Sequence, residues 1–197
     1  MDEQPQIRRF FANRDEDAFS DLFVAVYPKV RRYFLVRKLD EATAEELAQT
    51  VLFKVYQKAG ELKDESLFQG WLFAIARNEL LQHWRKQQSR IETVEIEPLA
   101  EQLLHRSDNL SANLSANLSA GIIWAEFQEW LRCLEPNERE LVLLRFDEGL
   151  TYEELAAVLG VPLGTVESRL FSVRKKLLRI RSGELPLHTE RKQPTKK

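Results

Sequence analysis

Ser168, Arg169, Ser172, Lys175 and Lys176 fall on one side of the stretch 163–178, and Val166, Leu170, Val173 and Leu177 recur on the other at i, i+4, i+7 and i+11. That spacing predicts an amphipathic helix with a hydroxyl-rich, cationic outer face. Such groups reach phosphate oxygens and base edges when a helix lies in the major groove of duplex DNA. Residues 150–162 supply the other half of a helix-turn-helix. Thr151 and Glu154 stand at capping-box spacing, and Leu155, Val158 and Leu159 form a buried stripe. Gly160 suits the positive φ that often follows a helix, and Pro162 suits the entry to the next one. The competing reading is a solvated helical hairpin within some other all-α protein.

A second group of residues points to a different nucleic-acid chemistry. The segment WLFAIARNELLQHWRK, 71–86, interleaves Trp71, Phe73 and Trp84 with Arg77, Asn78, Arg85 and Lys86. Aromatic faces stack on unpaired bases for roughly 1–3 kcal/mol each, while Arg and Lys follow the backbone. Taken singly, each aromatic reads more readily as core. Together with a duplex-binding segment elsewhere, they suggest a chain that holds duplex with one end and open strand with the other.

Catalytic constellations are missing from the sequence. There is no phosphate-binding glycine loop, zinc-protease helix or nucleophile elbow, and His83, His105 and His188 share no ligand spacing. Adjacent acids such as Glu45 and Glu46 point to different angles on a helix, which suits surface or protein contacts better than a metal cluster. Cys133 is the only cysteine, so an intramolecular disulfide and a multi-cysteine zinc site are excluded, and a half-buried reduced thiol is expected. We expect no catalysis, no metal, no cofactor and no small-molecule substrate.

The elements that must position these groups are helical. Seven glycines in 197 residues and no sustained β-branched alternation point to an all-α fold of two helical domains. Residues 1–90 form the first. Its first block runs from Asp15 to Val36, with a broad apolar stripe from Phe19 to Phe34 and Pro28 expected to bend or break it. A second block follows Thr43, where Thr43 and Glu46 repeat the capping-box spacing and Leu47, Val51 and Val55 face inward. A third runs from Phe68 to Arg90 with Leu72, Ile75, Ala76, Leu80 and Trp84 inside.

Residues 91–120 read as a linker, acidic through Glu92, Glu95, Glu97 and Glu101 and then low in complexity with three tandem NLSA units. The repeats read as a neutral duplication, or as a short amphipathic helix through Leu110, Leu114 and Leu118. The second domain spans 121–182, with Pro136 after Glu135 as a helix entry, and a basic, disordered tail is expected over 183–197. The net charge of −2 conceals a division: residues 174–197 carry +7 and residues 1–173 carry −9. An acidic body lowers affinity for nonspecific DNA even where one end is basic. The N-terminus lacks a signal-peptide pattern and no apolar run approaches the roughly 20 residues that span a bilayer, so a cytoplasmic location without membrane insertion is expected.

AEELAQTVLFKVY at 44–56, FQGWLFAIARNELLQHWRK at 68–86 and the segment 135–178 occur in the order of conserved regions 2.2, 2.3–2.4 and 4 of the sigma-70 family. Nearly the whole chain resembles an extracytoplasmic-function (ECF) sigma factor, the promoter-specificity subunit of bacterial RNA polymerase. The resemblance implies core RNA polymerase and promoter DNA as partners, with promoter melting as part of the activity. It also points to an anti-sigma protein that holds such a factor silent. By the same resemblance, Glu45, Glu46 and Gln49 face the clamp coiled coil of the largest polymerase subunit. Trp71, Arg77, Asn78, Arg85 and Lys86 serve the −10 element, and the loop from Glu61 to Gly70 helps capture a flipped base. Thr165, Ser168, Arg169, Phe171, Ser172, Arg174 and Lys175 approach the −35 element. Phe171 reads either as a contact to a thymine methyl or sugar, or as domain packing.

Thr50 replaces the acid the family usually has after Gln49, and Gln82 stands where an aspartate is common. The first departure bears on polymerase contact and the second on −10 preference. Glu167 opposes phosphate binding, so it reads a cytosine amino group or repels wrong sequences. The linker glutamates would imitate a nucleic-acid backbone in the polymerase channel. A separate reading, a free-standing helix-turn-helix regulator, predicts tight binding to a palindromic site without polymerase.

Overall fold

The computed structural model describes residues 3–91, 127 and 129–184. The expectations for the glutamate linker, the NLSA repeats and the tail beyond Glu184 lie outside the described residues. Those described fall into two compact units, helical throughout with no strand among them.

The first unit contains four helices: α1 (Gln4–Asn13), α2 (Glu16–Val36), α3 (Glu41–Lys58) and α4 (Phe68–Ile91). Short 3₁₀ turns, Ala59–Glu61 and Glu65–Leu67, connect the last two. The helix α1 precedes the first block expected from the sequence. It carries Pro5 in its first turn, buries Ile7 and Phe10, and stops at Arg14, a left-handed residue (φ 55°) whose N–H donates to the Phe10 carbonyl. A stop without glycine or asparagine is hard to see in a sequence.

In α2 the carboxylate of Asp15 accepts from the Ala18 N–H at 2.7 Å, which fixes the start where it is expected. Of the bend or break expected at Pro28 the break does not occur, and the helix runs through it. An interior proline costs about 3 kcal/mol through a lost hydrogen bond and a clash with residue i−4. Here Pro28 is exposed and its i−4 neighbour, Val24, is 72% exposed, so the freed carbonyl lies on the wetted side. Leu22, Val26, Val30, Tyr33 and Phe34 remain buried opposite and hold the helix to its neighbours.

The start of α3 also differs from the sequence expectation. Asp40 is the N-cap, accepting from the Thr43 N–H at 2.9 Å, and Thr43 Oγ1 donates to its second oxygen at 2.8 Å. Thr43 is therefore occupied inside the first turn and does not pair with Glu46 as a cap. Ala44, Ala48, Val51, Leu52 and Val55 form the buried side, whereas Leu47 is only half-buried. α3 packs against both α2 and α4.

In α4 the buried residues are Phe68, Leu72, Phe73, Ala76 and Leu80. Ile75 and Trp84, expected inside, are half-buried. Aromatic rings close the base of the unit: Phe10 meets Phe11, Phe19 and Tyr56, and Phe11 sets its edge to Phe68 at 5.9 Å. Polar contacts tie the N-terminus to the bundle, since Lys29 Nζ donates to Gln69 at 3.0 Å and Gln69 donates to Glu3 at 2.8 Å.

The C-terminal helices are a short segment at 129–132, then α5 (Pro136–Val142), a π-helical turn (Leu143–Asp147), α6 (Tyr152–Leu159) and α7 (Leu163–Arg181). Pro136 opens α5 as expected, and Glu138 reaches back to the Glu135 N–H at 2.9 Å. The box at the start of α6 is complete: Thr151 N–H donates to Glu154 at 2.8 Å and Glu154 N–H donates to Thr151 Oγ1 at 3.2 Å. Gly160, at φ 66°, turns the chain, and the Val161 N–H reaches the Ala156 carbonyl at 3.1 Å. The axes of α6 and α7 differ by 106°. An angle of that size across a short turn lies within the roughly 90–120° range of helix-turn-helix motifs.

Candidate nucleic-acid interface

α7 divides its side chains cleanly. Val166, Leu170, Val173 and Ile180 are buried, with Leu177 half-buried, and α7 packs against α5. On the outer side Ser168, Arg169, Ser172, Arg174 and Lys175 are exposed, Thr165 is half-exposed at the first turn, and Phe171 is 70% exposed. An aromatic ring so placed is not domain packing within the described residues. Ser168 Oγ donates to the Thr165 carbonyl at 3.1 Å and Ser172 Oγ to the Ser168 carbonyl at 2.9 Å. Both hydroxyl oxygens keep lone pairs for an incoming donor.

The cations of this unit sort by role. Arg139 donates to the Leu131 and Leu134 carbonyls, and its burial lowers its pKa. Arg145 donates to the Leu150 carbonyl at 2.7 Å and lies over the Tyr152 ring. Lys176, grouped with the outer face by the sequence, instead pairs with Glu138 on α5 at 2.8 Å. That position sits at the edge of the buried stripe, where α5 supplies a carboxylate. Burial pushes the Glu138 carboxyl up, but the bonds from Lys176 and from the Glu135 N–H outweigh it and hold it below the usual range. Among the described residues, Arg169, Arg174 and Lys175 enter no ion pair. They project charge without a fold-stabilising partner, as a phosphate-binding surface requires.

In the first unit, α4 brings some of the expected residues together and separates others. Trp71, Asn78 and Arg85 recur every seventh residue and so share one stripe, with Ile75 and Gln82 between them. Trp71 is half-exposed, with its ring 6.2 Å from Phe68, while Asn78, Gln82 and Arg85 are exposed. Lys86 flanks the stripe. Arg77 does not join it, because at roughly 100° per residue it lies about a third of a turn from Trp71. Phe73 is fully buried against Tyr33, which settles it as core. The sequence reading missed Glu79, which is buried on α4 and held by Lys54 of α3 at 2.5 Å.

On α3, Glu45, Glu46 and Gln49 are all exposed, but they are not equivalent. Glu45 is engaged by Arg31 at 3.3 Å, and the same guanidinium binds Glu41. Thr50 turns its hydroxyl back to the Glu46 carbonyl at 2.9 Å and offers nothing outward. Phe53, one turn beyond Gln49, is 59% exposed. Cys133 is half-buried with its thiol pushed up by burial and by Glu129, as expected of an unreactive thiol. Among the described residues no cluster of His, Cys, Asp and Glu could hold a metal, and no single helix is long and apolar enough to cross a membrane.

Comparison with known proteins matches the two units to two regions of one family. The model of Sigma-70 region 2 matches residues 16–90, and that of Sigma-70, region 4 matches residues 124–177. The chain is 33% identical over 166 residues to the ECF RNA polymerase sigma factor RpoE of Cereibacter sphaeroides, covering 80% of this chain and 83% of that protein. It is 30% identical over 167 residues to the ECF RNA polymerase sigma factor BldN of Streptomyces coelicolor, covering 84% of this chain but only 61% of that longer relative. In fold it resembles the sigma factor RpoE of Bartonella quintana, solved in complex with the anti-sigma factor NepR. The TM-score is 0.58 at 24% identity, covering 85% of this chain and 98% of that one. With both regions present in order and this level of identity along most of its length, the chain belongs to the ECF sigma factors of the sigma-70 family, which are transcription initiation factors and not enzymes.

Proposed function

We propose that this chain binds core bacterial RNA polymerase, carries it to promoters with −35 and −10 elements, and assists strand opening in the cytoplasm. The observation that carries the reading is the sorting of cations in the second unit. Arg139, Arg145 and Lys176 are spent on the fold, while Arg169, Arg174 and Lys175 stand unpaired beside Ser168, Ser172 and an exposed Phe171. On this reading α7 enters the major groove of the −35 element. Arg169 reads a base edge, Lys175 and Arg174 bind phosphates, and Thr165 and the two serines fix the helix in register.

The Trp71–Asn78–Arg85 stripe of α4 is the surface for the separated −10 strand, with Arg77 and Lys86 reaching it from the flanks. Glu46 and Gln49 are the principal contacts to polymerase, with Glu45 shared between that contact and Arg31. An anti-sigma protein is the natural regulator, as one accompanies the Bartonella quintana factor in its solved complex. Transcription by purified core polymerase from a pool of random promoter DNA, with and without this protein, tests the proposal. Factor-dependent starts at one shared two-element sequence are expected. Tight palindromic binding by the protein alone, with no factor-dependent transcription, would support the free-standing regulator instead.

A further inference from the structure

Two polar anchors off the Trp71–Asn78–Arg85 stripe hold α4 to its neighbours. Gln69, in the first turn, accepts from Lys29 of α2 at 3.0 Å and donates to Glu3 at 2.8 Å. Glu79, about 15 Å further along the axis, is held by Lys54 of α3 at 2.5 Å. Trp71 and Asn78 lie between the anchors. We propose that Lys54 and Glu79 are a positioning pair: their contact fixes the rotation of α4 against α3 and so aims the Trp71–Asn78–Arg85 stripe relative to Glu46 and Gln49. The proposal rests on the two-element promoter reading and adds to it two residues that act through their neighbours.

Stability alone does not account for such a pair. Among the described residues of the first unit, Glu79 is the only buried charged side chain. Taking a carboxylate and an ammonium out of water costs about as much as their attraction returns, and an apolar pair of similar volume is often as stable. What an apolar pair lacks is direction. The rest of the buried side of α4, from Phe68 to Leu80, is apolar. Contacts of that kind reward burial and tolerate a rotated or shifted helix, whereas a rotation or one-turn slip of α4 leaves the Glu79 carboxylate buried without its cation. Fixing register is the best-attested use of a buried polar or charged group.

The pair sits where a rotation has consequences. Residues of one α-helix turn as a rigid set, and Asn78 is the immediate neighbour of Glu79, about 100° around the axis. With Glu79 directed at Lys54, Asn78 is exposed and Trp71 half-exposed on the side assigned to the strand. Lys54 stands on the same helix as Glu46 and Gln49, beyond the latter. One contact therefore ties the proposed polymerase face to the proposed strand face.

The test uses full-length protein assembled with core polymerase on a promoter obtained from the random pool, with 2-aminopurine in the −10 region reporting strand opening per assembled complex. Lys54→Met combined with Glu79→Leu is expected to unfold at the parent's temperature and to bind core polymerase and the −35 duplex like the parent. It should nevertheless open the promoter about 2–30-fold more slowly, the range for residues that modulate a site through others. Lys54→Glu combined with Glu79→Lys restores the contact with its charges exchanged and is expected to recover most of the lost rate. Parent-rate opening in the apolar double variant, or opening that falls only where the unfolding temperature falls, would overturn the positioning role and leave the two-element reading standing. So would an exchanged pair that keeps the parent's unfolding temperature and opens no faster than the apolar one. No factor-dependent opening by the parent would overturn both.

Discussion

Lys54 Nζ on α3 lies 2.5 Å from Glu79 Oε1 on α4, and the Glu79 side chain is only 9% exposed. The pair joins the helix that presents Glu46 and Gln49 to the helix that presents the Trp71 stripe. Removing one partner of a buried pair leaves an uncompensated charge, at about 3–5 kcal/mol in full burial. Lys54 is about a third exposed, and water reaching it reduces that figure, so Lys54→Ala should cost about 1–3 kcal/mol. Replacement of both residues by Met and Leu should be close to neutral, since apolar pairs of similar volume often substitute without loss. Thermal unfolding of the full chain followed by circular dichroism checks both expectations. Equal destabilisation by the single and double substitutions would show that the pair has no special role.

The caps give a prediction with a sign in pH. Asp40 accepts from the Thr43 N–H and hydroxyl, and those bonds hold its carboxyl below its ordinary range. Asp40→Ala should cost about 1 kcal/mol. Thr43→Val keeps the N–H and should cost less. Because the folded pKa is the lower one, the cap contributes fully above about pH 4, the unfolded value, and is lost as pH falls through the folded value. Glu138, also held low, behaves in the same direction. Unfolding midpoints between pH 3 and pH 6 should therefore rise with pH less steeply in Asp40→Ala than in the parent.

The two capping boxes explain what a sequence can and cannot reveal here. Thr151-x-x-Glu154 forms as its spacing implies, yet Thr43-x-x-Glu46 has the same spacing and does not, because Asp40 three residues earlier takes the N-cap. Local pattern ranks candidates, and only the chain entering the helix decides among them. The two helices α6 and α7 and the turn between them were legible because their apolar period, Gly160 and cap agree at every level. α1 was hidden by its short length and by a left-handed arginine where a glycine was awaited. Pro28 does not end α2 because a helix tolerates proline when packing opposite it outweighs one lost bond. Lys54–Glu79 and Lys176–Glu138 depend on which helices meet, a matter of sequence separations of 25 and 38 that no local window contains.

The proposed polymerase face on α3 offers a graded prediction. Glu45 shares the Arg31 guanidinium, whereas Glu46 and Gln49 project outward without such an ion pair. Glu46→Gln and Gln49→Ala should weaken core polymerase binding severalfold, and Glu45→Gln less, because its carboxylate must give up part of an existing bond to make a new one. Competition for core polymerase against the unsubstituted protein measures the order. A larger loss in Glu45→Gln than in both others would mean that Arg31 positions Glu45 for the contact.

Lys175 and Lys176 are adjacent and chemically identical, so they separate binding from folding. Lys175 is exposed and without an ion pair, while Lys176 is bound to Glu138 with both side chains about two-thirds covered. Lys175→Ala should weaken binding of the holoenzyme to the −35 duplex about equally for all sequences, reduce the salt slope by about 1 and leave unfolding unchanged. Lys176→Ala should lower stability by about 1 kcal/mol, within the range for a partly screened pair, and leave the salt slope as it was. Arg169→Ala differs from both, since loss of the proposed base-edge contact should cost about 1–3 kcal/mol and relax preference at one position. Binding titrations at several salt concentrations, paired with thermal unfolding, distinguish the three. If Lys176→Ala lowered the salt slope while Lys175→Ala did not, the face that meets DNA would be the one toward α5, and the assignment of the outer face of α7 would have to be reversed.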